Sequence, residues 1–164
     1  SFVMWAKKKD EAGGTGILPR VVSRASDLHE LAFDSGHLKR GTFAIYFGNN
    51  PGWTTCMPVD LDWHHIAVVQ DGTAFHVYLD GDDVFQLKGS GPGAYSGNFY
   101  VGSRHDLSSA EYYNGLLDEL AVYAGALTKD KVKEIMEGGV QGQLLAVSPH
   151  GKLGYTWGLI KAEH

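Results

Sequence analysis

Hydrophobic and polar positions alternate most regularly near the middle of the chain. The runs 63–69 (WHHIAVV) and 74–79 (AFHVYL) are rich in aromatic and β-branched residues and contain neither glycine nor proline. Asp71-Gly72 lies between them, and Asp-Gly flanked by apolar strands is the strongest short-range signal for a hairpin. Asp80-Gly81 marks a second turn, after which another apolar run returns. The pattern predicts a three-stranded antiparallel meander over 63–87.

The rest of the chain carries further short apolar runs, separated by glycine-rich and polar turns about every 8–12 residues. Each of these runs reads as a strand: 1–6, 17–24, 28–33, 42–47, 99–101 and 116–123. A total of about nine to eleven strands with such spacing is typical of an antiparallel β-sandwich. The predicted fold class is therefore all-β, with two packed sheets.

One helix is predicted near the C-terminus. Thr128 is a suitable N-cap residue, and Gly138-Gly139 marks the end of the helical run. Val132, Ile135 and Met136 fall at helical spacing, so they form an apolar stripe that can dock on a sheet. The segment 140–164 contains two more apolar runs, and the sequence leaves open whether they complete the sandwich.

Composition and charge exclude several classes of function. The chain has 164 residues, which fits one domain, and a net charge of −5, which disfavours nucleic acid and anionic membrane surfaces as partners. No apolar run approaches the roughly 18–20 residues of a membrane span, so membrane insertion is not expected. Cys56 is the only cysteine, which excludes an internal disulfide and CxxC chemistry.

Three motifs resemble one family in their order along the chain. Residues 63–81 resemble the central hairpin of laminin-G-like, or concanavalin A-like, jelly-roll domains. Residues 98–102 (NFYVG) and 115–128 (GLLDELAVY…ALT) resemble the family's last two strands and the start of its short helix. The resemblance implies a concanavalin A-like jelly roll with one short C-terminal helix, in an extracellular or cell-surface protein.

The start of the chain resembles a strand that normally lies well inside such a domain. Residues 1–6 (SFVMWA) resemble the family's Phe-Thr-Ile-x-Ala-Trp-Val strand. The resemblance implies a single domain over 1–164 that lacks its usual first strands. The segment 140–164 then either adds one or two strands or is an extension that packs in place of the missing ones. The chain is accordingly expected to be a fragment, either of a larger protein or of a domain whose first strands are absent.

Two loops carry candidate ligand-binding residues. Sugar rings stack on exposed aromatic side chains while neighbouring polar groups bond their hydroxyls. The first candidate loop holds Trp53 among glycine, asparagine and proline. The second holds polar and aromatic residues together: Arg104, His105, Asp106, Tyr112, Tyr113 and Asn114. Each of these side chains has the alternative role of covering the edge of the core.

Calcium is a candidate cofactor by resemblance. Many relatives bind one ion, partly through an early loop and partly near an Asp-Glu pair of the last strand, and Asp118 is the matching position. The early loop has no counterpart here, so an inherited site would be incomplete. Asp80-Gly81-Asp82-Asp83 is acidic, but it lacks the glutamate of an EF-hand loop, and a hairpin turn is the favoured interpretation.

Catalytic patterns are weak. A glycosidase needs two carboxylates about 5–10 Å apart, and no predicted strand has acidic residues on one face. Asp118 and Glu119 are neighbours and are expected to point to opposite faces, and Asp60 and Asp62 are expected in a loop. His64 and His65 are adjacent on a strand, which favours ordinary sheet histidines.

The favoured hypothesis is a non-catalytic extracellular module that binds carbohydrate, with calcium as a candidate cofactor. The first alternative is a structural or adhesion module that contacts extracellular protein or forms a homo-oligomer, because unpaired sheet edges invite another chain. A polysaccharide-cleaving enzyme is the third.

Overall fold

The structure, a computed structural model, describes residues 1–24, 29–48, 52–89, 97–107 and 111–145, with side chains as far as residue 141. Ten strands and one helix follow one another in this part of the chain. The elements are β1 (Phe2–Lys8), β2 (Arg20–Arg24), β3 (Glu30–Asp34), β4 (Thr42–Tyr46), β5 (Thr54–Pro58), β6 (His64–Gln70), β7 (Ala74–Leu79), β8 (Asp82–Lys88), β9 (Phe99–Val101), β10 (Gly115–Val122) and α1 (Lys129–Leu145).

The strands form two five-stranded antiparallel sheets. The first sheet has the order β10-β1-β6-β7-β8, and the second has the order β5-β4-β3-β2-β9. The main core lies between them and is built from the inward-facing residues of both, such as Met4 and Ile66 on one side and Phe33 and Phe43 on the other. The expected jelly-roll-like β-sandwich is therefore confirmed.

The meander predicted over 63–87 is confirmed as β6, β7 and β8. Its first turn is held by the Asp71 carboxylate, which accepts hydrogen bonds from the backbone N–H groups of Thr73 and Ala74 at 2.7 Å. In the second turn, both Asp80 (φ 51°) and Gly81 (φ 83°) have the positive φ that a two-residue hairpin loop of this kind requires.

The predicted helix begins where expected and covers the outer face of the first sheet. At Gly139 (φ 72°), where its end was expected, α1 kinks and then continues to Leu145. Thr128 caps it, since its Oγ1 accepts a hydrogen bond from the Lys131 N–H at 3.2 Å. Val132 and Ile135 are buried against outward-facing residues of the first sheet, including Val3 and Ala67. These contacts make a second, smaller core on the far side of the first sheet.

Strand β5 was not predicted. It is an edge strand of the second sheet, and its sequence, TTCMP, has little of the apolar alternation of the other strands. Proline removes a ladder donor and is therefore tolerated at the edge and end of a sheet, where Pro58 lies. Asp60 and Asp62, which were expected in a loop, lie in the connection between β5 and β6.

Several predictions concern residues outside the described ranges. The strand predicted at 28–33 is described from Glu30 onward. Residues 49–51 and 90–93, which fall in the polar and glycine-rich turns between predicted strands, lie outside the described residues, as does most of the segment 140–164 (146–164). The role of 140–164 in completing the sandwich therefore stays a prediction.

Candidate functional site

The outer face of the second sheet carries the strongest candidate site. Side chains alternate along β3 and β4, so Leu31 and Ile45 enter the core while Glu30 and Tyr46 face outward. The outward residues and the adjoining loops surround a cavity of about 270 Å³. Its lining residues are Ile17, Leu18, Arg20, Glu30, His37, Tyr46, Trp53, Arg104 and Glu111.

Two aromatic rings form one wall of this cavity. The Tyr46 and Trp53 rings lie 5.5 Å apart at an angle of 37°. The Arg20 guanidinium lies over the Trp53 ring, 4.5 Å from its centroid. Both rings remain partly exposed. The wall thus offers apolar ring surface beside a stacked cation, which fixes the orientation of Trp53.

A buried ion pair forms the floor. Arg20 is 4% exposed and Glu30 1% exposed. The Arg20 Nε donates to a Glu30 carboxylate oxygen, and one guanidinium nitrogen donates to the Leu18 carbonyl. The Ser23 hydroxyl donates to the other Glu30 oxygen at 2.7 Å. Burial of such a pair is costly unless hydrogen bonds satisfy both charges, as they do here.

Arg104 and Glu111 extend the network toward the surface. Glu111 lies 3.2 Å from an Arg20 nitrogen and 3.6 Å from an Arg104 nitrogen. The Arg104 Nε is also 3.5 Å from the Asp106 carboxylate. One carboxylate therefore bridges two arginines, and the Arg104 side chain is about one-third exposed (31%) at the rim.

His105 joins the same network from the other side. Its backbone N–H donates to the Ser23 Oγ at 3.1 Å, and its Nδ1 lies 3.6 Å from a Glu30 oxygen. The structure therefore brings Trp53, Arg104 and His105 to one face, although they are far apart in sequence.

The other candidate residues lie elsewhere. Tyr112 is at the periphery, where its hydroxyl donates to the Leu107 carbonyl at 3.0 Å. Tyr113 stacks on Phe33 in the core, its hydroxyl donates to the Lys7 carbonyl, and burial raises the pKa of this phenol to about 12. Asn114 lines a different cavity of about 440 Å³, beside Lys7, Leu61 and Leu116.

Asp118 lies on β10 of the first sheet, across the core from the cavity. The β1–β10 ladder contains a bulge in which Glu119 and Leu120 of β10 face Met4 alone. Glu119 takes a left-handed conformation (φ 51°), and its N–H donates to the Asp118 carboxylate at 2.8 Å. Asp118 and Glu119 consequently line the same groove, and the expectation that they point to opposite faces was wrong.

The described surroundings of Asp118 add no support for a calcium site. Calcium takes six to eight oxygen ligands, whereas the described residues contain no group of three or more histidine, cysteine, aspartate or glutamate residues placed to hold a metal ion. The calcium site expected at Asp118 stays a prediction without support from this geometry.

The paired histidines have separate structural surroundings. His64 lies between two carboxylates, with its Nδ1 2.8 Å from Asp80 and its Nε2 2.8 Å from Asp60. His65 is 1% exposed and packs edge-on against Trp5 at 5.4 Å, and burial lowers its pKa. Burial also raises the pKa of the Cys56 thiol to about 12, which makes it a poor nucleophile.

Sequence reasoning missed the residues that hold the site together. Arg20, Glu30, Tyr46 and Glu111 were not candidates, because no motif marks them. One signal was available for Glu30, since a charged residue at the start of an apolar strand must find a partner when that strand is buried. Its partner, Arg20, is ten residues away and is recognisable only from the pairing of β2 with β3.

The fold of this chain is similar to that of several solved structures. Domain 4 of AbnA, a GH43 extracellular arabinanase from Geobacillus stearothermophilus solved with arabinotriose, is 22% identical, with a TM-score of 0.62 over 82% of this chain and 65% of that one. A heptameric SAP-like pentraxin from Limulus polyphemus is 18% identical, with a TM-score of 0.65 over 82% of this chain and 68% of that one.

A Trypanosoma rangeli sialidase is 14% identical, with a TM-score of 0.64 over 86% of this chain but only 23% of the sialidase. The chain thus spans less than two thirds of the arabinanase domain and about a quarter of the sialidase. No curated protein matches the chain. Among the described residues, the helix is too short and too polar to cross a membrane.

A family model matches residues 1–133, which is most of the chain. It covers nearly every element described above, from β1 to the first turn of α1. The chain therefore belongs to the concanavalin A-like lectin/glucanase superfamily.

Proposed function

We propose that the chain is a non-catalytic recognition module that binds carbohydrate on the outer face of its second sheet. The observation that supports this most strongly is the cavity in which the Tyr46–Trp53 ring pair stands beside the Arg20–Glu30 and Arg104–Glu111 charges. Sugars combine apolar ring faces with many hydroxyls, and sites that bind them combine aromatic walls with a few fixed polar groups.

The polar groups of the cavity are already oriented. Arg20 is held by Glu30, Glu111 and the Leu18 carbonyl, so its guanidinium loses little freedom when a ligand arrives. Preorganisation of this kind reduces the entropic cost of binding. Arg104 is the most exposed member of the charge network and is the group we expect to donate directly to sugar hydroxyls.

The charge balance favours a neutral glycan. The two arginines of the network face three carboxylates, those of Glu30, Glu111 and Asp106. This leaves no surplus of positive charge for a uronic or sialic acid. The similar arabinanase domain was solved with a neutral sugar, arabinotriose, and we take arabinan and other neutral plant or bacterial polysaccharides as the first ligands to test.

The absence of catalysis is part of the proposal. Glycoside hydrolysis needs one carboxylic acid that gives up a proton and a second carboxylate as base or nucleophile. The two carboxylates that line the cavity, Glu30 and Glu111, both contact arginine. This pairing does not suit a proton donor. We further propose an extracellular location, as for the similar arabinanase.

Titration of the chain with neutral and acidic polysaccharides by isothermal calorimetry tests the proposal. We expect Trp53→Ala and Arg104→Ala each to weaken neutral-glycan binding by about tenfold or more, which is ~1.4 kcal/mol. Trp63→Ala is the matched control. Trp63 is also a partly exposed tryptophan (40%), but it precedes β6 of the first sheet and does not line the cavity. No binding to any glycan, or equal loss in the control, would contradict the proposal.

Calcium assistance is tested in the same titration with a chelator. We expect chelation to leave the affinity unchanged, because Asp118 lies on the first sheet, across the core from the cavity. Loss of binding on chelation would instead support the calcium-assisted module.

One observation favours the alternative of protein contact or self-assembly. Strand β10 is an edge of the first sheet, and it exposes Leu116 (58%) and Val122 (54%). An exposed apolar edge strand is a template for pairing with another chain. Light scattering tests this alternative. It would be supported by a molecular mass that rises with protein concentration, if the Leu116→Lys variant keeps the mass of the monomer.

A further inference from the structure

A second concave surface lies on the opposite side of the molecule from the proposed carbohydrate site. It is a groove of about 490 Å³ between the outer face of the first sheet and the part of α1 that kinks at Gly139. We call it the tryptophan groove, because Trp5 of β1 and Trp63, just before β6, form part of its walls. Nothing in the proposed carbohydrate recognition uses these residues.

The tryptophan groove has an unbalanced negative charge. Asp118 and Glu119 enter it from β10 and Glu137 from α1, and no lysine, arginine or histidine lines it. Within the described part of the chain, no ion pair forms to any of these three carboxylates. Like charges concentrated in a concavity raise the local concentration of cations.

The bulge in β10 is what assembles this charge. In a regular strand Asp118 and Glu119 would face opposite sides of the sheet. The left-handed backbone of Glu119 (φ 51°) turns its side chain toward α1 instead. There it meets Gly139, where a Cβ atom would lie 2.5 Å from the Glu119 Oε1. A glycine at this position therefore leaves room for the carboxylate.

The indole rings define which cation fits. Indole is the aromatic group that attracts cations most strongly, through its electron-rich face. Trp63 is 40% exposed, and Trp5 is partly exposed while His65 braces it edge-on at 5.4 Å. Indole supplies no oxygen ligand, so these walls suit a weakly hydrated organic cation better than a calcium ion.

We propose that the tryptophan groove binds an organic cation with an alkylammonium group, through the two indole rings and the carboxylates of Asp118, Glu119 and Glu137. A quaternary ammonium and a lysine side chain share this chemistry. The inference is independent of the proposed carbohydrate binding, because the two concavities lie on the outer faces of different sheets.

Titration of the isotope-labelled full chain, followed through its tryptophan indole N–H signals by NMR, tests the inference. The probes are choline, Nα-acetyl-lysine methylamide, calcium chloride and the uncharged carbon isostere of choline, in which a tert-butyl group replaces trimethylammonium. We expect at least one of the two ammonium cations to shift the Trp5 and Trp63 signals, whereas the Trp53 signal and the response to the isostere stay unchanged. The cation that binds more tightly identifies the type of ammonium group that the groove prefers.

Matched variants separate binding from folding. Trp63→Ala and the nearly isosteric Asp118→Asn are each expected to weaken cation binding about 2- to 30-fold. Glu134→Gln is the control, because Glu134 lies on the same helix but pairs with Lys131. Equal binding of the uncharged isostere, stronger binding of calcium chloride than of either ammonium probe, or no shift with any probe would overturn the inference.

Discussion

Arg20 and Glu30 show how single residues decide the candidate carbohydrate site. Both are almost completely buried, and their pairing crosses from β2 to β3. Removing one partner of a buried pair leaves an uncompensated charge, whereas removing both leaves only a change of packing. Single and double substitutions of this pair therefore measure how much it contributes to the stability of the cavity floor.

We predict that Arg20→Met lowers the free energy of unfolding by about 3–5 kcal/mol, because Glu30 then stays buried without its arginine. The double variant Arg20→Met/Glu30→Met should recover a large part of this loss. Denaturant unfolding followed by circular dichroism measures both. Lys131→Ala, which breaks an exposed pair with Glu134, is the control and should cost less than about 1 kcal/mol. Equal losses in the single and double variants would contradict the prediction.

At the scale of elements, the turn after β3 depends on one carboxylate. Asp34 is buried, and its two oxygens accept hydrogen bonds from the N–H groups of residues 36–39 at 2.7 to 3.0 Å. Burial raises the pKa of Asp34, but these four backbone hydrogen bonds outweigh it and leave the pKa below its usual value of 3.8.

The lowered pKa predicts a pH dependence of stability. The Asp34 contribution is fully present above the unfolded pKa of about 3.8 and is lost as the pH falls through the lower folded pKa. In Asp34→Asn we expect a loss of at least about 2 kcal/mol at neutral pH. The variant should also show a shallower decline of unfolding free energy below about pH 4. Denaturant titrations at several pH values across this range measure the unfolding free energy. An unchanged pH dependence in Asp34→Asn would contradict the role assigned to Asp34.

Docking of α1 on the first sheet is a second property of elements. Ile135 is 1% exposed and contacts the outer face of the sheet. Ile135→Ala should therefore cost about 2–5 kcal/mol of stability. Glu134→Ala, on the exposed side of the same turn, should change stability by less than about 0.5 kcal/mol. Thermal or denaturant unfolding measures the stability of the two variants. Similar losses of stability in both would show that the helix does not dock as described.

At the scale of the whole molecule, the two concave surfaces are separated by the main core. The tryptophan groove belongs to the first sheet and the carbohydrate cavity to the second. We therefore predict that the two proposed ligands bind independently. Saturation with choline should leave the affinity for a neutral glycan unchanged, and Trp53→Ala should leave choline binding unchanged. Calorimetry with one ligand preloaded measures this, and mutual inhibition would show that the ligands share a surface.

Local patterns in the sequence determined the type and order of most elements. Asp71-Gly72 and Asp80-Gly81 place the turns of the meander, because their backbone and side-chain chemistry acts within a few residues. Thr128 and the stripe of Val132 and Ile135 likewise identify the helix and its docking face. Strand β5 was not predicted from the sequence. An edge strand buries little apolar surface, so its sequence does not need to alternate apolar and polar residues.

The candidate sites were decided by tertiary structure. Trp53, Arg104 and His105 were recognisable as loop residues with suitable chemistry, but their common floor depends on the pairing of β2, β3 and β4. The shared groove of Asp118 and Glu119 depends on one bulge, which a regular strand pattern does not reveal. Local structure follows from forces between neighbours along the chain, whereas a binding site arises where strand register and sheet packing bring distant side chains together.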